Sequence, residues 1–92
     1  MCRNITELRG LEPPATPEEI EAASWQFVRK VTGVTRPTGA VEADMRAVAA
    51  EIAELTGALL DRLPARRQPP RTVPPLRRAE VRERLGLEPF PA

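Results

Sequence analysis

The sequence predicts a small all-α protein built on an antiparallel two-helix hairpin. Two amphipathic segments, about residues 17–32 and 40–63, each carry helix start or stop signals, and a short connection with Pro37 and Gly39 separates them. Two helices joined by so short a connection pack side by side in opposite directions. A chain of 92 residues holds one such domain and little else.

The first helix is predicted from a capping box at its start and a glycine at its end. Thr16 occupies the N-cap position, Pro17 follows, and Glu19 stands where its carboxylate can bond back to the N-cap backbone. Gly33 stands where the left-handed residue after a helix belongs. One stripe of the helix is apolar or small: Ile20, Ala23, Ser24, Phe27, Val28 and Val31.

The second helix ends before Pro64, which disfavours helix in the residue before it. Its apolar residues recur at alternating gaps of four and three: Val41, Met45, Val48, Ile52, Leu55 and Leu59. A two-helix core of this size only roughly offsets the conformational entropy of ordering the chain. We therefore expect a homodimer in which two hairpins form a four-helix bundle, the alternative being a monomer wrapped by its own termini.

The second helix is longer than the first by about two turns. The N-terminal segment carries Ile5, Leu8 and Leu11 at a spacing of three, followed by Pro13 and Pro14. We expect it to cover the overhang.

The chain divides into an acidic part, residues 1–63, and a basic proline-rich extension, residues 64–92. Residues 1–63 hold seven basic and ten acidic side chains, whereas the extension holds seven arginines, three glutamates and seven of the eleven prolines. This composition favours extended, solvated chain. A short third helix is predicted at about residues 76–85, with Gly86 as its stop.

The composition excludes several classes of enzyme and of metal site. The chain has no histidine and no tyrosine, which excludes histidine-based acid–base catalysis and the usual zinc and haem ligand sets. We expect no cofactor, and enzyme activity is uncertain with the balance against it. One cysteine, no leader segment and no apolar run long enough for a bilayer predict a cytoplasmic protein without a membrane contact.

Cys2, Arg3 and Asn4 are the only candidates for a reactive site. Removal of Met1 would place a thiol and an α-amine on adjacent atoms, and Arg3 would stabilise the thiolate. The alternative is that Cys2 simply packs against the hairpin.

Two residues stand out as candidate interface positions. Trp25 lies about 120° from the centre of the first apolar stripe, so we expect the N-terminal segment or a dimer mate to cover it. Gly57, inside the second helix, predicts the close approach of another helix.

Basic side chains form two candidate contact sets. Arg29 and Lys30, with Arg36, could hold an anion or a partner, although favourable interaction with the helix dipole explains the first two. The arginines of the extension could contact RNA phosphates or an acidic protein, the alternative being a solvated tail. These are Arg66, Arg67, Arg71, Arg77 and Arg78.

The N-terminal third resembles a family of short bacterial proteins of unknown function. The resemblance rests on Met-Cys-Arg-Asn-Ile at 1–5, Pro-Pro-Ala-Thr at 13–16 and Gln-Phe-Val-Arg-Lys at 26–30. It is specific to about residue 37, departs at Ala40-Val41 where an Ala-Asn pair is expected, and fades in the tail. It implies no activity, but it implies a shared surface of Cys2, Arg3, Asn4, Gln26, Arg29 and Lys30.

The leading hypothesis is a non-enzymatic helical module for protein interaction, most simply a homodimer. The alternatives are a thiol-dependent redox or metal site at Cys2 and weak RNA association through the basic tail.

Overall fold

A computed structural model describes residues 5–66, 70 and 72–90, and this part of the chain is all-helical. Helix α1 spans Pro17–Thr32, helix α2 spans Gly39–Arg62, and helix α3 spans Ala79–Leu85. A single 3-10 turn at Pro75–Arg77 precedes α3. The predicted fold class is confirmed, and the predicted third helix is divided into this turn and α3.

The limits of α1 follow from hydrogen bonds within a few residues. The Thr16 hydroxyl accepts from the Glu19 N–H at 3.2 Å, and the Thr16 N–H donates to the Glu19 carboxylate at 2.9 Å. At the other end Gly33 has φ 73°, and its N–H donates to the Arg29 carbonyl. Both predicted caps are confirmed.

The core of the hairpin is small. Val28 of α1 packs with Met45 and Ala49 of α2, and partly buried side chains surround them. Those surrounding residues are Trp25, Val34 and Ile52. In the described residues Leu11 is the other buried hydrophobic side chain. A core of this size leaves much apolar surface in contact with water.

The apolar residues of α2 are divided between two environments. Met45 and Ile52 pack toward α1, whereas the other four members of the same series are exposed. The exposed members are Val41, Val48, Leu55 and Leu59. The reason is geometric, because one partner helix covers only one side of a stripe this wide.

The N-terminal segment lies over the hairpin and reaches the end of α2, as predicted. Ile5 and Leu8 line a groove with Phe27 of α1 and with Leu60 of α2. The Arg9 guanidinium donates to the Pro64 carbonyl at 2.9 Å. The segment therefore bridges both helices.

The extension packs back on the N-terminal half, which matches the alternative of a hairpin wrapped by its own termini and not that of a solvated tail. Pro74 is buried, and Leu76 lines a cavity with Leu8 and Ala23. The backbone there is held by arginines that bond to residues more than 55 positions away. Long-range contacts thus override a composition that favours free chain.

Across the described ranges, no helix is long and apolar enough to cross a bilayer. Helix α2 has the length, at 24 residues, but it carries charged side chains along its whole course.

Candidate functional site

Helix α2 exposes a row of apolar side chains, and together with two exposed apolar residues of α1 we call this set the apolar flank. Its members are Phe27 and Val31 of α1 and Val41, Val48, Leu55 and Leu59 of α2. Leu55 is 71% exposed. At 100° per residue the four α2 members fall within about 40° of one another around the helix. The α2 part of the flank is therefore one surface and not a scatter of single residues.

An open groove of about 280 Å³ lies between the N-terminal segment and the two helices. Phe27 belongs to both the flank and the groove, and Ile52 and Leu60 of α2 line the groove floor. Hydroxyls of Thr6, Ser24 and Thr56 border it. The lining is mostly apolar, which suits an aliphatic or aromatic side chain better than a charged group.

Charged residues border the α2 part of the flank on its outer side. Asp44, Glu51 and Arg62 are exposed, and helix periodicity places them next to the apolar row. Neither Asp44 nor Arg62 has an ion pair or hydrogen bond within the described part of the chain. Their charges face solvent.

Trp25 is partly buried against the core of the hairpin, which differs from the predicted cover by the N-terminal segment or a dimer mate. It packs on the cluster around Val28, and the Arg46 guanidinium carbon lies 3.8 Å from the centre of its ring. Glu42 pairs with Arg46 at 3.6 Å. The stripe centre lies nearer Ser24 and Val28 than Phe27 and Val31, and this brings Trp25 into contact with α2.

Gly57 faces α1, and a Cβ built at this position would lie 3.7 Å from Ile20 Cδ1. This is an ordinary van der Waals distance. Helix α1 approaches Gly57, but the approach leaves room for a methyl group.

The predicted anion contacts remain a prediction. Lys30 and Arg36 are exposed, and Arg29 is half-buried with its Nε buried and without a hydrogen-bond partner. Gln26 lines a cavity of about 70 Å³ together with Leu8 and Pro74. The structure shows no shared contact among the three basic residues.

A buried ion pair joins the extension to the start of α1. Arg77 Nε lies 2.7 Å from Glu19 Oε2, and Arg77 Nη2 lies 3.0 Å from Glu19 Oε1. The Nη2 group also donates to the carbonyls of Pro13 and Pro14, at 2.6 and 3.0 Å. Only 6% of the Arg77 side chain and 2% of the Glu19 side chain are exposed. The Phe90 ring covers the guanidinium at 4.4 Å.

The electrostatics of Glu19 follow from these contacts. Burial raises the pKa of its carboxyl, but hydrogen bonds from Arg77 and from the Thr16 backbone more than offset this. The pKa of Glu19 is therefore held below its ordinary value. Sequence reasoning missed the pair because the capping box already accounted for Glu19, and nothing local connects it to Arg77.

Two further arginines of the extension are also engaged within the chain. Arg66 Nη1 lies 3.0 Å from Glu7 Oε2 and donates to the Arg9 carbonyl, and Arg78 donates to the Val73 carbonyl. Arg67 and Arg71 lie outside the described residues. Three of the five predicted tail contacts thus serve the fold of this chain.

Cys2, Arg3 and Asn4 also lie outside the described residues, so the thiol site stays a prediction. Within the described ranges, no group of three or more acidic, cysteine or histidine side chains is placed to hold a metal ion.

Comparison with known proteins gives one match. The family model described as an uncharacterized conserved protein (DUF2277) matches residues 1–84. No curated protein and no solved structure matches the chain.

Proposed function

We propose, for a chain that belongs to the DUF2277 family of uncharacterised conserved proteins, that it is a non-enzymatic helical module for protein interaction. The family description names no activity, so the proposal rests on the residues of this chain. The observation that carries it is the apolar flank.

Contiguous exposed apolar surface of this kind marks protein–protein contacts. The flank runs along most of α2, and the groove beside Phe27 and Ile52 offers a recess for a side chain of the partner. An amphipathic helix that lays its apolar face along such a surface is a common recognition mode. The flank therefore suits a helical partner.

A second copy of this chain is the partner we propose. It offers the same apolar flank, and two hairpins stacked on these faces make a four-helix bundle. Pairing would bury Val48 and Leu55, which the hairpin by itself leaves in water. This burial would add to the small apolar core of the single hairpin and so stabilise the fold.

The other two hypotheses have less support. Binding of RNA or of an acidic protein through the tail would have to rely on arginines other than Arg66 and Arg77, which are occupied within the chain. No described residue supports the thiol site. We further place the protein in a bacterial cytoplasm, because its N-terminal third resembles bacterial sequences and a lone cysteine suits a reducing compartment.

The test is the oligomeric state of three proteins by light scattering coupled to size-exclusion chromatography. The wild type is expected to be a dimer, and Leu55→Asp a monomer, because it buries a charge in the interface. Ala50→Asp places the same charge on the opposite, exposed side of α2 and is expected to remain a dimer. Circular dichroism confirms that each variant is folded. A monomeric wild type, or a dimeric Leu55→Asp, would contradict the proposal.

A further inference from the structure

We infer that α2 pairs antiparallel with α2 of a second copy, with Val48 opposite Leu55 of that copy and Asp44 paired with Arg62 of that copy. This inference rests on the proposed function and specifies the register of its interface. It follows from the spacing of the apolar flank and from two charges that the hairpin leaves unpaired.

The spacing of the flank sets the line of contact. Val41, Val48 and Leu55 are seven residues apart, and each step drifts only about 20° around a straight helix. Leu59 returns to the angle of Val41. A straight helix can therefore contact another along this row for about 27 Å.

Charges on the outer border favour the antiparallel direction. In a parallel pair the two-fold axis runs along the helices, so the outer borders of the two copies lie on opposite sides of the contact and Asp44 cannot meet Arg62 of the other copy. In an antiparallel pair, Asp44 and Arg62 lie toward opposite ends of α2 and meet each other. Only Glu51, close to the two-fold axis, then faces a like charge.

The positions of Asp44 and Arg62 match this arrangement. They are 18 residues apart, about five full turns, so both lie on the same line along the helix. With Val48 opposite Leu55, Arg62 lies opposite Val41 of the second copy and about 4.5 Å along the axis from Asp44. Helical side chains lean toward the N-terminus of their own helix. In antiparallel helices this directs Arg62 toward Asp44 of the other copy.

Each of the two residues is available for this contact. Both are exposed, and neither has an ion pair within the described residues. By contrast, Arg46 on the same helix is already held by Glu42 and Trp25. The symmetry of the dimer forms the Asp44–Arg62 pair twice, once on each side of the two-fold axis.

The test is a charge-reversal series measured as the dimer dissociation constant by sedimentation equilibrium. Asp44→Arg and Arg62→Asp are each expected to weaken the dimer on the order of tenfold, because each places like charges together at two points. The double variant is expected to recover most of the wild-type affinity. Asp61→Arg makes the same charge change beside Arg62 but on the far side of α2, and it is expected to change little.

The outcomes separate this inference from the proposed function. If the double variant is no tighter than the single variants while Leu55→Asp still dissociates the dimer, the register is wrong and the interface stands. If the wild type is monomeric, both fail. Glu51→Gln gives an independent check: it removes the repulsion at the two-fold axis and is expected to tighten the dimer severalfold, whereas weakening would overturn the register.

Discussion

The start of α1 and the apolar flank differ in how far the chain itself satisfies their side chains. At the start of α1 a buried charge is fully paired, since Arg77, Glu19 and two proline carbonyls satisfy one another inside the chain. Along the apolar flank, by contrast, Leu55 and its neighbours have no cover in the single chain. The comparison teaches that the basic tail completes the fold, while the flank is the apolar surface that the single chain leaves exposed.

The largest effect is expected from breaking the ion pair between Arg77 and Glu19. Arg77→Ala leaves Glu19 as an unpaired carboxylate that is 2% exposed, and loss of one partner of a buried pair costs about 3 kcal/mol. Denaturant unfolding measures the change. Arg84→Ala removes an exposed arginine with no ion pair in the described chain and is the control. Equal stability of the two variants would show that the pair is not a structural link.

On the flank, stability itself is expected to depend on association. Because dimerisation stabilises only the folded state, the wild-type Tm is expected to rise with protein concentration. The Tm of Leu55→Asp should stay constant over the same range, while Ala50→Asp should follow the wild type. Differential scanning calorimetry over a dilution series measures all three. A constant Tm for the wild type argues that the flank is uncovered in solution as well.

The contribution of the Arg77–Glu19 pair to stability depends on pH, and the pKa of Glu19 sets the direction. The pKa of Glu19 in the folded state lies below 4.5, its unfolded value, so the unfolded chain binds this proton more tightly. The stabilisation is complete above about pH 4.5 and is lost as the pH falls through the folded pKa. The free energy of unfolding of the wild type, measured with urea, is expected to fall more steeply with acid than that of Glu19→Gln. Parallel curves would assign the acid sensitivity to other carboxyls.

The smallest effect is expected between the two helices, at Gly57. Alanine at this position gains helix propensity worth up to about 1 kcal/mol, and its methyl group would sit at an ordinary contact distance from Ile20. Gly57→Ala is expected to raise the unfolding free energy slightly without changing the dimer. Gly33→Ala is the contrasting variant, since φ 73° disfavours any side chain there, and it should destabilise. Loss of stability in Gly57→Ala would indicate tighter packing than the structure has.

The tertiary structure differed from the sequence prediction where the centre of the α1 stripe was placed. Counting Phe27 and Val31 as core shifted the predicted centre away from Trp25, although Ser24 and Val28 are the residues buried against α2. Periodicity marks an apolar arc, but it does not say which part of a wide arc the partner helix will cover. The same geometry divides the α2 series into two covered and four exposed residues.

The sequence by itself determined the limits of the two long helices. Thr16, Glu19 and Gly33 bound α1, and Pro64 stops α2, because caps and breakers act through hydrogen bonds and sterics within about four residues. Only the tertiary structure decided that Arg77 is buried on Glu19, 58 positions away, and that Leu55 stays exposed. Burial depends on which segments distant in sequence pack together, and a local sequence pattern does not specify those long-range contacts.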